Sequence, residues 1–162
     1  MVKDIQILMT RELRSLAEEI NMYPNEEMIW QVLPGITNSA GNLTLHLCGN
    51  LNHFIGAVLG KTGYIRDRES EFSARSGSRA ELIEQVKKTE EIINTVLPTL
   101  TENILSENYP QKVGGIDLPC GRFLMHLAVH LSYHLGQVGY LRRILTQKNN
   151  SSGAISLKVI KN

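Results

Sequence analysis

Phe123–Leu145 reads FLMHLAVHLSYHLGQVGYLRRIL, and three of the chain's five histidines fall in it: His126, His130 and His134. They stand at i, i+4 and i+8. Each step of four along an α-helix drifts only about 40° around the axis, so all three share one face. No proline interrupts the stretch, and glycine enters only at Gly136 and Gly139. Leu124, Leu127, Val129, Leu131, Leu135, Val138, Leu141 and Leu145 make it apolar most of the way round, which predicts a helix buried by its neighbours. Five histidines scattered over 162 residues would give on the order of 0.15 such i,i+4 pairs, whereas this chain has two, both here. A buried imidazole needs partners for both nitrogens, or something to bind. Two readings are open: core histidines bonded to carbonyls and to one another, or a metal chelate. The zinc-protease pattern H-E-x-x-H fails, because Leu131 stands where its glutamate base belongs. The chelate spacing survives.

The remaining composition bounds the answer. A chain of 162 residues with 42% hydrophobic content suits one domain with a real core. Net charge is +1 with the signs mixed, and aromatics are sparse, so there is no electrostatic footprint for nucleic acid. No apolar run reaches the length of a membrane span. The opening Met-Val-Lys-Asp leads into no signal-peptide core, which predicts a cytoplasmic protein. Cys48 and Cys120 form no CxxC motif and read as buried free thiols in a reducing compartment.

Working outward, apolar residues recur at helical spacing from Ile5 to Met22, ending before Pro24. Asn25-Glu26-Glu27 caps a short turn, which Pro34-Gly35 terminates. A second central helix is predicted over Asn38–Gly60, with His46, Asn50 and His53 on one stripe at i, i+4 and i+7. His46 and His53 lie roughly 10 Å apart along the axis, so only one of them is expected to meet a given site on another helix. Asn50 is expected to make an interhelical hydrogen bond. Lys61–Gly77 reads as a long polar loop, in which Arg66, Arg68, Glu69 and Glu71 either recognise an anion or are simply solvated. Ser78-Arg79-Ala80-Glu81 is a capping box that starts a third helix running to Pro98. Asn108–Cys120, with Gly114-Gly115, suggests a short hairpin before the histidine helix. After Gln147 the run Lys148–Gly153 predicts a flexible break, followed by AISLKVI as a short extended tail. The expected fold is therefore all-α, an up-down four-helix bundle over residues 1–147, with a long loop between helices two and three and a tail at 148–162. Metal sites in such bundles form from side chains on facing helices.

HLSYHLGQ at His130–Gln137 resembles the HxxxHxGQ signature on the last helix of the DinB/YfiT-like superfamily of metal-dependent enzymes. SAGNLTLHLCGNL, with His46, resembles that superfamily's helix-two histidine segment, and RDRESEF at Arg66–Phe72 is similar to the loop of some members. The resemblance spans Met1–Gln147. It implies a bundle of DinB type, often homodimeric, with one divalent ion, zinc or nickel, held by His46, His130 and His134. Where many members carry a further histidine, this chain has Tyr133. Asn50, His53, His126, Tyr133 and Gln137 are then pocket residues around the ligands, with Gln137 orienting a ligand or a water. Some relatives in that superfamily are thiol S-transferases using low-molecular-weight thiols such as bacillithiol or mycothiol.

Three neutral imidazoles with an open position form a catalytic rather than a closed structural pattern. The expected function is a metal-dependent transferase or hydrolase acting on a small molecule, a low-molecular-weight thiol among the candidates. The catalytic base is left unassigned, with His53, His126, Tyr133, Glu69 and Glu71 within reach of the role. The rival expectation is a non-catalytic, stress-related bundle whose histidines bind metal or are structural.

Overall fold

Ile5, Met9, Leu13, Leu16 and Ile20 repeat at helical spacing, and in the computed structural model, which describes residues 1–153 and 156–160, they are the buried stripe of α1 (Val2–Asn21). Burying that stripe is the main drive for the helix to pack. α2 (Glu26–Trp30) is the short turn expected there, its first turn closed by the Asn25 side chain accepting from the Met28 N–H. α3 (Ala40–Leu51) starts at a capping box in which Ser39 and Asn42 satisfy each other's backbone N–H groups.

α3 continues as a π-helix over Asn52–Leu59, a change of winding that apolar spacing cannot show. Close approach accompanies it: a Cβ on Gly60 would stand 2.4 Å from Val96 Cγ2. α5 (Arg79–Val96) begins at the expected Ser78–Glu81 box and runs into a 3₁₀ turn, Leu97–Thr99, that holds Pro98. α7 (Cys120–Thr146) is the long histidine helix. It stops at Gln147 in the left-handed region, φ 58°, without a glycine.

All regular structure among the described residues is helical. α1 packs against α5 and α7, and α3 packs against the same two helices. α3 and α7 run antiparallel: His46 meets His130, while eight residues on Phe54 meets Phe123, seven residues back. The core lies between these four helices, from Leu13, Leu16, Leu47 and Leu51 across to Val86, Ile93, Leu127 and Leu131.

Several expectations change. The polar segment 61–77 is not an unbroken loop, because α4 (Arg68–Ser73) forms inside it, capped by Asp67 accepting from Ser70 N–H. In the Asn108–Cys120 connection an isolated antiparallel bridge, Asn108 with Pro119, ties the exit of α6 (Glu102–Ser106) to the start of α7, and a second, Val113 with Ile116, closes the Gly114-Gly115 turn, in place of hairpin strands. α7 is not buried all round: Met125, Val129, Tyr133, Tyr140 and Ile144 face solvent, because the four-helix contact covers only one side of it. Lys148–Gly153, expected as a break, lies against α1 and α7. Buried Arg142 donates to Glu19 Oε2 at 2.6 Å, to Asn150 Oδ1 and to the Asn150 carbonyl, while Ser152 N–H donates to Glu19 Oε1. Of the tail read as extended, Leu157–Ile160 is a 3₁₀ turn, and Ala154 and Ile155 lie outside the described residues.

Candidate metal centre

α3 and α7 bring His46, His130 and His134 together, so that one ring nitrogen of each lies within 4.8 Å of the others. His130 Nε2 is 3.3 Å from His46 Nε2 and 3.1 Å from His134 Nε2. The chain itself fixes two of the tautomers. Glu71 Oε2 lies 3.0 Å from His46 Nδ1, and a carboxylate only accepts, so the proton sits on Nδ1 and Nε2 is bare. Gln137 Oε1 takes the Nδ1 proton of His134 at 2.6 Å, which leaves that Nε2 bare as well. No partner among the described residues fixes the His130 tautomer, so its Nε2 either carries a proton shared with the two bare nitrogens or turns a third lone pair toward a cation between them. Ligands about 2.0–2.1 Å from a tetrahedral zinc would be roughly 3.4 Å apart, close to the two spacings that His130 makes. The donor set fits a divalent ion.

Electrostatics point the same way. Burial, then the neighbouring His134, His46, His126 and Arg66, lower the pKa of His130 from the usual imidazole value to about 4. Burial also lowers that of His134, although the Gln137 bond works against it. Both rings are therefore neutral at pH 7, the form a metal requires.

Glu71 is only 5% exposed, on a segment expected to be solvated. Arg66 grips it with two bonds, Nε to Oε1 at 2.6 Å and Nη2 to Oε2 at 2.8 Å. Arg66 Nη2 also lies 3.2 Å from His46 Nδ1, but with both groups donors the shared acceptor is the carboxylate. Burial raises the Glu71 pKa, but the bonds from Arg66 and His46 outweigh it and hold the carboxyl below its usual range. Space for this carboxylate comes from Gly49, one turn past His46: a Cβ there would stand 2.1 Å from Glu71 Oε1. Asn42, which closes the α3 capping box, donates through Nδ2 to the carbonyls of Glu71 and Ala74 and so moors α4 on α3. A carboxylate on the far nitrogen of a metal-binding histidine raises its basicity and fixes its orientation.

The other predicted site residues fall outside the cluster. His126 is exposed and stacks on Phe123 at 6.0 Å and on His130 at 6.2 Å. His53, at the start of the π-helical segment, meets the Phe54 ring edge-on at 4.8 Å. Tyr133 is exposed with its ring 5.1 Å from that of His134. Asn50 makes no interhelical hydrogen bond; its buried Oδ1 has no partner among the described residues. Asn52 bonds across instead, to Thr89 Oγ1 at 3.1 Å. Cys48 and Cys120 are free and buried, as expected. Burial pushes the Cys48 thiol up to about 12, so it is no nucleophile at neutral pH.

Asn42 and Gly49 are supporting residues that sequence reasoning missed, and Arg66, read as recognising an anion or solvated, takes its anion from within the chain, Glu71. The signal was thin: Asp67-x-x-Ser70 is a helix start that would have revealed α4, and His46-x-x-Gly49 marks a close approach on the ligand's own helix face.

The fold and cluster together define an all-helical protein with three histidines able to hold a metal ion. No helix among the described residues is long and apolar enough to cross a membrane. The chain belongs to the family described as "Protein of unknown function (DUF1572)", whose model matches residues 3–158. No curated protein and no solved structure matches it.

Proposed function

We propose that this protein is a metal-dependent transferase, of the thiol S-transferase kind, or a hydrolase, acting on a small molecule at one divalent ion held by His46, His130 and His134. The observation that carries the reading is the meeting of three imidazole edges, two of them held bare by Glu71 and Gln137. A divalent ion in such a cradle, zinc or nickel, supplies Lewis acidity, lowering the pKa of a water or thiol that joins it. Glu71 keeps the His46 proton on Nδ1, and Arg66 keeps Glu71 in place. Gln137 does for His134 what Glu71 does for His46. The antiparallel α3–α7 pair supports the up-down four-helix bundle of DinB/YfiT type, and a cytoplasmic site of action goes with that reading. The apolar stripe Met125, Val129 and Tyr133 supports a homodimer, which sedimentation of the parent against Val129→Glu tests.

A second reading has its own observation. Both oxygens of Glu71 are engaged, and it is the one carboxylate on the cluster among the described residues, so no carboxylate is free to serve as a general base. That favours a metal binder without catalysis, and turnover of a thiol acceptor or an activated ester by metal-loaded protein decides between the two.

Elemental mass spectrometry on protein purified without chelator tests the site itself. The expected result is about one transition-metal ion per chain in the parent and in His126→Ala, and almost none in His46→Ala, His130→Ala or His134→Ala. Loss of metal in His126→Ala with retention in His46→Ala would show that the ligand set is wrong.

A further inference from the structure

Next to the cluster lies a cavity of about 350 Å³ lined by, among others, Leu33, Ile36, Leu43, Gln137, Leu141 and Ile144. Two of these residues tie it to the metal centre. Leu43 precedes His46 by three residues on α3, and Gln137 follows His134 by three on α7, so the cavity is the next turn of the same α3–α7 groove. Gln137 serves both, lining the cavity and accepting the Nδ1 proton of His134. The volume is at the lower end of the range for small-molecule sites. No Asp, Glu, Lys, Arg or His lines it among the described residues, so it offers no opposite charge to pair with a charged group. Its only side-chain hydrogen-bonding groups are those of Thr37, Asn38, Gln137 and Tyr140.

We infer that this cavity holds an uncharged, apolar arm, alkyl or aryl, of the small molecule whose head reaches the three-histidine centre. The inference rests on the metal reading above and narrows it: the substrate is an amphiphile with a metal-seeking head and a hydrocarbon side, rather than a small fully polar metabolite. Gln137 stands at the junction, where the arm meets the residue that holds a ligand's tautomer. An arm that fills the cavity covers the outer side of that hydrogen bond and shields it from water.

The test uses the zinc-loaded full chain and straight-chain alkyl hydroxamates from acetyl to octanoyl, whose common head ligates a divalent ion. Calorimetry is expected to show binding tightening about two- to fourfold per methylene until the cavity is full. Methyl resonances of Ile36 and Ile144 are expected to shift with the octanoyl compound and not with the acetyl one. Ile36→Trp and Ile144→Trp, both at partly exposed positions, fill the cavity from its rim. They are expected to abolish the chain-length dependence while leaving acetohydroxamate binding within twofold of the parent. A flat series in the parent, or a series that survives both fillings, overturns the inference while the metal reading stands. Zinc that is not retained, with no acetohydroxamate bound, overturns both. A filling that alters the sedimenting mass and leaves the series intact gives the cavity to a second copy of the chain and overturns the inference as well.

Discussion

Among the protein's buried arginine–glutamate pairs, two look alike and do different work. In one, Arg66 holds Glu71 between α4 and α3; in the other, Arg142 holds Glu19 between α7 and α1. Each carboxylate lies against a glycine, Gly49 for Glu71 and Gly139 for Glu19. The third partner separates them. Glu71 spends its spare capacity on His46, whose other nitrogen faces two more imidazoles. Glu19 spends it on the Ser152 backbone, and Arg142 on Asn150, so that pair clips the chain after α7 onto the bundle. A buried ion pair by itself says little about role, and its net worth to stability is small once desolvation is counted. What the carboxylate does with its remaining lone pairs says more.

The largest expected effect is on the clip. Arg142→Leu leaves Glu19 as an uncompensated buried charge and should cost about 3–5 kcal/mol in a urea titration, with metal content per chain unchanged. If the variant instead loses metal at full stability, the two pairs have been assigned the wrong way round. Next, Glu71→Gln removes the charge beside His46 and should weaken metal affinity about 10- to 100-fold, with a smaller change in unfolding midpoint. Competition against a chelator reads this directly; unchanged affinity would make Arg66–Glu71 a second clip.

The glycines sharpen the contrast. Gly49→Ala drives a methyl into Glu71 Oε1 and should weaken metal binding roughly tenfold, a Glu71→Gln phenotype with the carboxylate still present. Gly139→Ala meets Glu19 at an easier 3.3 Å. Overpacking of about 1–3 kcal/mol there is partly offset by alanine's advantage of about 1 kcal/mol in a helix, so it should cost at most about 2 kcal/mol and leave metal content normal. The smallest effect belongs to a carboxylate in neither pair. Hydrogen bonds from the Ser78 backbone and side chain hold the Glu81 pKa below its usual value. Its folded pKa being the lower one, its contribution is complete above the unfolded carboxylate range and is lost as pH falls through the folded value. Glu81→Gln should therefore flatten the acid end of the stability profile slightly and leave both buried pairs alone.

The contrast also marks where sequence reading stopped. Helix starts at Ser39 and Ser78, the buried stripe of α1 and the shared face of His130 and His134 were legible, because each depends on spacing within one element, whereas the grouping of His46 with them came from the family resemblance. Axial distance showed that His46 and His53 could not both meet one site, but not which of them would. The carboxylate partners were not legible. Glu19 sits in the polar positions of an amphipathic helix, and Glu71 in a charged segment where solvation is the ordinary fate. Both are buried by chain that packs over them from elsewhere, which no local pattern encodes. The exposed side of α7 was misread for the converse reason: Met125, Val129, Tyr133, Tyr140 and Ile144 look like core residues in sequence whether or not a neighbour covers them. The π-helical winding after Leu51 leaves no periodic trace over eight residues.

His46 finds its two kinds of partner at different distances along the chain, 25 residues to Glu71 and 84 to His130. Closing the shorter loop costs about 1 kcal/mol less entropy. On that term the imidazole–carboxylate contact outlasts the imidazole–imidazole one as the chain loosens, and the three-residue His134–Gln137 bond outlasts both, so two ligands keep the right proton after the α3–α7 contact is lost. Amide exchange slower in α4 than at the α3–α7 contact would record that order.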